Sequence, residues 1–489
     1  MKRRTLLTAV LGTFAGGLVG SLTGCAVGPD FMRPQVAIPE HWRVDMAQAS
    51  EYANPRWWEA FGDPVLSELV ENALRENLDM KIAAARVERY LGQLSTTRSQ
   101  FFPQIGYGLE ASRNRSTELG VTPMPAGTDP WYKQYQGTLN ADWQIDLFGR
   151  VRRQSEAAQA RVFSSEQGRR GTILSVVASV VGGYITLRAL DRKLEIAQAT
   201  AANYAESVRI FDVRFKGGVV SQVEVAQVES QSQQARAAVP ALEQQVAAQE
   251  NLLSVLLGRV PAPIARGKQI EALTVPQVPP GLPSSLLERR PDVLQAEQNL
   301  VAANAEIGVA RSLYFPSLSL SGAVGSSSAA LSNFLSGPST IALLAASIAG
   351  PIFTFGNIEG QVRSAEAANE EALANYRLAI LNALRDTNDA LTGTQKTAEV
   401  FSAQSKRVKA LREYAQLSRL KYENGAASYT DVLYSENELF SAELNAVTAE
   451  SDRLIQLVAV YRALGGGWVD AVDERAMPQS AAVDKASAE

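Results

Sequence analysis

Few residues in this chain are equipped for chemistry. Its 489 residues include one cysteine, Cys25, and one histidine, His41. A single thiol forms neither an intrachain disulfide nor a cysteine-based zinc site. A single imidazole rules out a multi-histidine cage and leaves little acid–base catalysis, and His41, close to Pro39 and Trp42, reads as a packing residue. No P-loop, G-x-S-x-G or H-E-x-x-H string is present. The chemistry that remains is acylation and fixed charge. Cys25 follows Leu22-Thr23-Gly24, after Lys2-Arg3-Arg4 and the uncharged run from Thr5 to Val19. That pattern is a signal peptide ending at small residues, and its apolar run is short of the roughly 20 residues of a membrane span. Two acids, Glu224 and Asp431, each stand three residues after a serine. Ser221-Gln222-Val223-Glu224 and Ser428-Tyr429-Thr430-Asp431 read as capping boxes that open helices, placed just beyond the Gly217-Gly218 and Asn424-Gly425 turns. No cofactor or metal site is expected. A formal charge of −4 does not describe a nucleic-acid-binding surface.

The elements that position these residues come as two copies. Arg214-Phe215-Lys216-Gly217-Gly218 aligns with Lys421-Tyr422-Glu423-Asn424-Gly425 at an offset of 207 residues, as do Gly149 with Gly356 and Leu257-Gly258 with Leu464-Gly465. Upstream, Asp79 meets Asp292 and Phe102-Pro103 meets Phe315-Pro316 at an offset of 213, the difference falling in the Pro/Gly-rich loop Val121 to Pro130. Each copy reads helix, strand, loop, strand, long helix, turn, long helix. The boundaries follow. Residues 1–24 are the signal peptide and 25–65 an extended entry segment. Repeat 1 covers 66–258, with a helix, strands at about 104–118 and 131–147, and helices 150–216 and 221–257. A Pro-rich linker spans 259–283. Repeat 2 covers 284–465, with a helix, strands at about 316–326 and 339–353, and helices 357–424 and 428–464. Residues 466–489 form a tail.

Period-two alternation marks the strands. Trp131, Tyr135, Leu139, Ala141, Trp143 and Ile145 share one face of the second strand, and Gln134, Gln136, Asn140 and Asp142 the other. From Ser312 to Ile358 no charge appears; its serines, glycines and prolines, and its repeat partner, favour strands over a membrane helix. The long helices carry heptad-spaced apolar residues such as Ile173, Val177, Val180, Tyr184 and Leu187, a coiled-coil stripe, and Pro240 is expected to bend the second of them. At 1.5 Å per residue, residues 150–216 would reach roughly 100 Å, too long and too charged to lie in a bilayer. Four strands do not close a membrane barrel, since the smallest have about eight. Two chains would fill their own barrel with side chains; three would leave a pore. The expected fold class is therefore an α+β membrane protein, a trimeric β-barrel with four strands per chain continuous with a long α-helical barrel.

The end Leu22-Thr23-Gly24-Cys25 resembles the bacterial lipobox, and Ala26 after the cysteine matches lipoproteins sent to the outer membrane. Beyond it stand Val27-Gly28-Pro29-Asp30-Phe31, Asp146-Leu147-Phe148-Gly149-Arg150, Glu288-Arg289-Arg290-Pro291-Asp292, Ala303-Asn304-Ala305, Phe315-Pro316-Ser317 and Gly350-Pro351-Ile352-Phe353. With these strings the chain resembles the outer-membrane factor family, the TolC/NodT-type efflux lipoproteins, from about Cys25 to Trp468. The resemblance implies a homotrimeric channel without catalytic activity. It implies an outer-membrane location with a long periplasmic extension, and as partners a periplasmic adaptor and an inner-membrane RND-type pump that exports drugs or other small solutes. It implies lipid on Cys25, and helical turns that form the periplasmic tip. There Asp431, in Tyr422-x-x-Gly425-x-x-x-x-x-Asp431-Val432-Leu433, matches a gate-lining acid, with Glu224 its counterpart in the first copy. Three copies would make a carboxylate ring. The chain departs from the TolC branch in carrying Tyr434 where that branch has a second acid. Gly217, Gly218, Asn424 and Gly425, with Arg214 and Lys421, become adaptor-contact positions, although turn geometry alone also accounts for the glycines. The readings set against efflux are a type I secretion exit duct with the same fold, a periplasmic lipoprotein enzyme and a coiled-coil structural protein.

Overall fold

The computed structural model describes residues 26–36, 56–117, 127–275 and 289–466. Cys25, His41, most of the Pro/Gly-rich loop and residues 467–489 lie outside them. Two compact units are built from interleaved segments: of the described residues, 26–35, 87–117, 127–165 and 296–376 form one, and 36, 56–86, 166–275, 289–295 and 377–466 the other.

The first unit holds the strands β1 (Gln104–Arg115), β2 (Trp131–Ile145), β3 (Ser317–Ser328) and β4 (Thr340–Ala349). They form one antiparallel four-stranded sheet in the order β1-β2-β3-β4. Tyr107 faces Leu139, Leu139 faces Val324, and Val324 faces Ala342. This register gathers Ile105, Tyr107, Leu109, Leu139, Ala141, Trp143, Leu318, Leu320, Val324, Leu344 and Ile348 on one face. Gln134, Gln136, Thr138, Asn140, Asp142, Ser319 and Ser321 share the other, where the Ser321 hydroxyl donates to Asp142 Oδ1 at 2.9 Å. β1 stops at Arg115, short of residue 118, and β4 at Ala349, short of residue 353. Pro351 has no amide hydrogen to offer a ladder, which accounts for the second difference.

The same unit holds residues 26–33 in place. The Val27 amide donates to the Phe148 carbonyl at 3.2 Å. The buried Arg153 donates to the Val27 and Gly28 carbonyls, each at 3.3 Å, and to Asp30 at 2.7 Å. Asn304 donates to the Pro29 carbonyl at 3.0 Å, and Arg33 pairs with Glu297 at 2.6 Å. Gly28 has a φ of +106°, and a Cβ there would lie 2.4 Å from Gly308 Cα. The Val27-Gly28-Pro29-Asp30-Phe31 string is thus a fitted strap.

The helices are α1 (Pro64–Glu76), α2 (Leu78–Ser99), α3 (Arg150–Lys216), α4 (Gln222–Leu256), α5 (Pro291–Ser312), α6 (Asn357–Glu423) and α7 (Tyr429–Ala463). Repeat 1 was expected to open on one helix; it opens on two, parted at Asn77. Asn77 leaves the helical region at ψ 131°, and its side chain donates to the Leu256 carbonyl at 2.8 Å while accepting from the Met80 amide at 3.0 Å. α4 runs unbroken through Pro240.

The core of the second unit surrounds Ile173, Val177, Val180, Tyr184 and Leu187, all fully buried, with Leu253, Leu454 and Leu457. The apolar stretch of α3 is therefore core, not a membrane span. Two segments expected to be extended or loose join it. In the entry segment, Trp57–Phe61 winds into a 3₁₀ turn that buries both tryptophans, and Trp57 stacks on Tyr461 at 4.7 Å. The described part of the 259–283 linker packs with Ile264, Ile270 and Leu273 inside.

Candidate functional site: the paired helical turns

All residues of both turns belong to the second unit. α3 ends when Gly218 takes a φ of +70°, and the Val219 amide donates back to the Arg214 carbonyl at 2.9 Å. α6 ends the same way, with Gly425 at +73° and the Ala426 amide on the Lys421 carbonyl at 2.8 Å. Both are Schellman closures, which need a residue free to adopt positive φ. Asn424 adds a side-chain bond to the Leu420 carbonyl at 2.7 Å.

Each following helix opens on its serine. Glu224 Oε2 accepts from the Ser221 amide at 2.7 Å and from its hydroxyl at 2.9 Å, while the Glu224 amide donates to Ser221 Oγ at 3.3 Å. The Ser221 backbone bond, then its hydroxyl, holds the Glu224 carboxyl below the ordinary carboxylate value. Asp431 Oδ2 repeats the pattern, accepting from the Ser428 amide at 3.2 Å and its hydroxyl at 3.0 Å. Asp431 is therefore a capping residue whatever else it does. Asp431 and Tyr434 are both exposed, Tyr434 at 62%.

Sequence reasoning missed what joins the turns. Tyr429 lies 4.2 Å from the Phe211 ring and 5.0 Å from Tyr422, above buried Val228 and Val432. Arg214 donates to the Tyr422 hydroxyl at 2.7 Å, with its guanidinium 5.9 Å from the rings of Phe211 and Tyr422. Its side chain is thus committed to a link between the copies, so adaptor contact at Arg214 would have to compete with that link. The signal was the aromatic pair Phe211 and Tyr422, about two turns before Gly218 and one turn before Gly425. Deeper in, Glu436 pairs with Arg419 at 2.8 Å, and burial pushes its carboxyl above the usual value despite the guanidinium.

The quasi-equivalence extends to the far helix ends. Asn77 holds the Leu256 carbonyl, and Arg290 holds the Ala463 carbonyl at 2.9 Å. Gln249 bonds the Gly183 carbonyl at 2.9 Å, and Gln456 the Ala390 carbonyl at 3.2 Å. Among the described residues no group of three or more His, Cys, Asp or Glu is placed to hold a metal.

Residues 69–259 and 282–466 match the family model described as outer membrane efflux protein. The chain belongs to that family. Its two matched stretches coincide with the two structural copies. Among relatives, it is 32% identical over 455 residues to the solvent efflux pump outer membrane protein SrpC of Pseudomonas putida, covering 91% of this chain and 96% of that one. It is 29% identical over 455 residues to the probable outer membrane lipoprotein SilC of Salmonella typhimurium, covering 92% and 97%. Among solved structures, the open state of the MtrE outer membrane channel of Neisseria gonorrhoeae superposes with a TM-score of 0.82 at 29% identity, over 91% of this chain and 99% of that one. This outer membrane efflux protein belongs to a family of transport channels rather than of enzymes, and the secretion-duct reading gains no support.

Proposed function

We propose that three copies of this chain form the outer-membrane exit duct of a tripartite efflux system, receiving drugs or other small solutes from a periplasmic adaptor and an inner-membrane RND-type pump. The sheet carries the argument: four strands, one apolar and one polar face, and unpaired backbone at both edges. An open edge in lipid costs several kcal/mol per unsatisfied group. Because the strand number is even, β4 of one copy meets β1 of the next antiparallel, so three sheets close a ring of about twelve strands without a parallel seam. Exposed Ile352, Phe353 and Phe355 after β4 supply further apolar surface for a neighbour. Cys25 would carry the lipid, and the strap from Ala26 would place that anchor on the first unit. Detergent-extracted protein should run as a trimer that resists heat as β-barrels do; a monodisperse soluble monomer, once the anchor is removed, would sink the reading.

In this assembly the paired turns are the entrance, with Gly217, Gly218, Asn424 and Gly425 meeting the adaptor and Asp431 beside Tyr434 lining the closed gate. Three Asp431 carboxylates would attract cations. Asp431→Ala should raise conductance in planar bilayers and reduce block by a multivalent cation. Ser428→Ala, which removes the cap but keeps the charge, separates gating from capping. Unchanged block in Asp431→Ala removes that residue from the gate.

A further inference from the structure

The charged residues of the sheet are sorted by sign. Arg113, Arg115 and Lys133 all lie on the apolar face, at the β1–β2 loop end, whereas Glu110 and Asp142 lie on the polar face. Arg113 and Lys133 are direct cross-strand partners. Like charges placed opposite each other destabilise a sheet unless an anion lies between them. The sheet's own carboxylates point the other way and cannot supply it. Both cations are exposed, and the Arg113 guanidinium sits 4.9 Å from the Trp131 ring centroid.

Depth identifies the anion. Below Arg113, the same face of β1 presents Ile105, Tyr107, Leu109 and Ala111. Eight steps from Ile105 to Arg113 at about 3.3 Å each make about 26 Å along the strand, which is about 20 Å of height at a barrel tilt of about 40° and matches the roughly 9–11 residues of a tilted membrane strand. The apolar band of a membrane barrel is about 25 Å tall and is bounded by aromatic girdles. The cations, with Trp131 and Tyr135, therefore stand where that band ends, on the side away from the strand ends that lead into α2 and α3. In an outer membrane that is the headgroup level of the outer leaflet.

We propose that Arg113 and Lys133 bind the phosphate of a phosphorylated lipid in the outer leaflet. The inference rests on the barrel reading, which makes the apolar face the lipid face. The guanidinium offers a planar fork and the ammonium a point charge, which together suit one phosphate group. The apolar tiers below take the acyl chains, Tyr135 stands between those tiers and the cations as the cross-strand partner of Ala111, and Trp131 flanks the cations on the loop side.

Native mass spectrometry of the full mature protein in detergent tests this, using as probe a bisphosphorylated glycolipid and its dephosphorylated counterpart. Wild type should retain the phosphorylated form preferentially, and rising salt should release it. R113Q/K133Q should retain several-fold less while running as the same heat-resistant trimer, and R113K/K133R should restore binding. Equal retention by R113Q/K133Q overturns the proposal, as does equal retention of the dephosphorylated lipid or no retention by wild type. Should R113Q/K133Q fail to assemble, the salt and dephosphorylation arms on wild type decide alone. A wild-type protein that is not a membrane trimer sinks the channel reading as well; a trimer with unselective lipid sinks only this inference.

Discussion

The Tyr184 hydroxyl donates to Asp63 Oδ2 at 2.8 Å and accepts from the Gly267 amide at 2.9 Å, and the Lys268 amide donates to the same carboxylate oxygen at 2.9 Å. Burial, then Asp63, pushes the phenol far above its ordinary value, so it stays a donor at any working pH. Tyr184→Phe removes one of the donors to the Asp63 carboxylate, which keeps the Val65 and Lys268 amides, and leaves the Gly267 amide without its acceptor, so it should cost about 1–3 kcal/mol in denaturant unfolding. Gly267→Ala should cost a similar amount, because a Cβ there would lie 2.1 Å from Asp63 Oδ1. An unfolding midpoint unchanged in both would show that the bonds do not stabilise the unit. Glu436 has the opposite balance. Its carboxyl is raised by burial, so its contribution is full below the unfolded value and declines as pH rises through the folded one. Glu436→Gln should therefore flatten that decline and leave the protein more stable at neutral pH than wild type, read as thermal midpoints across pH 4 to 8. Lower stability at neutral pH would mean that the Arg419 pair outweighs the burial cost. None of this was legible beforehand. Asp63 and Tyr184 are far apart in the chain, and no local pattern marks a carboxylate that will be buried.

At the scale of elements, the helix starts offer a paired test. Ser221→Ala and Ser428→Ala should each cost about 1 kcal/mol, read as faster amide exchange in the first turns of α4 and α7. Equal exchange in wild type and variants would refute the capping role. The Glu224 carboxyl is held low, so its share of the cap is present above the unfolded carboxylate value and is lost as pH falls through the lower folded one. These turns were readable because glycine, then serine, then an acid recur in fixed order, each for a local reason. β2 was readable because one of its faces is polar. β4 lacked that signal, because Ile341, Leu343, Leu344 and Ile348 fill both faces; its repeat partner marked it as a strand, but its expected end at residue 353 lay past Pro351. The break at Asn77 was hidden as well, since asparagine there acts through the distant Leu256 carbonyl. Residues 259–275 read as linker on their prolines, although burial of Ile264 and Ile270 makes them part of the core.

For the whole molecule, the sorted sheet charges predict selectivity. In a trimer, Glu110 and Asp142 line the lumen with carboxylates and the cations face away. Rings of acids favour cations. Reversal potentials across a salt gradient should show cation preference, reduced in the Glu110→Gln/Asp142→Asn double variant; an unchanged potential would place the selective step elsewhere. The same sheet has a cost before assembly. Ser312 to Ile358 carries no charge at all, and β4 is an edge until a neighbour covers it. Such a segment has none of the charged gatekeepers that discourage intermolecular pairing. On its way from the inner membrane to its destination, this stretch more than any other would need a holdase, and its time in transit sets the protein's risk of aggregation.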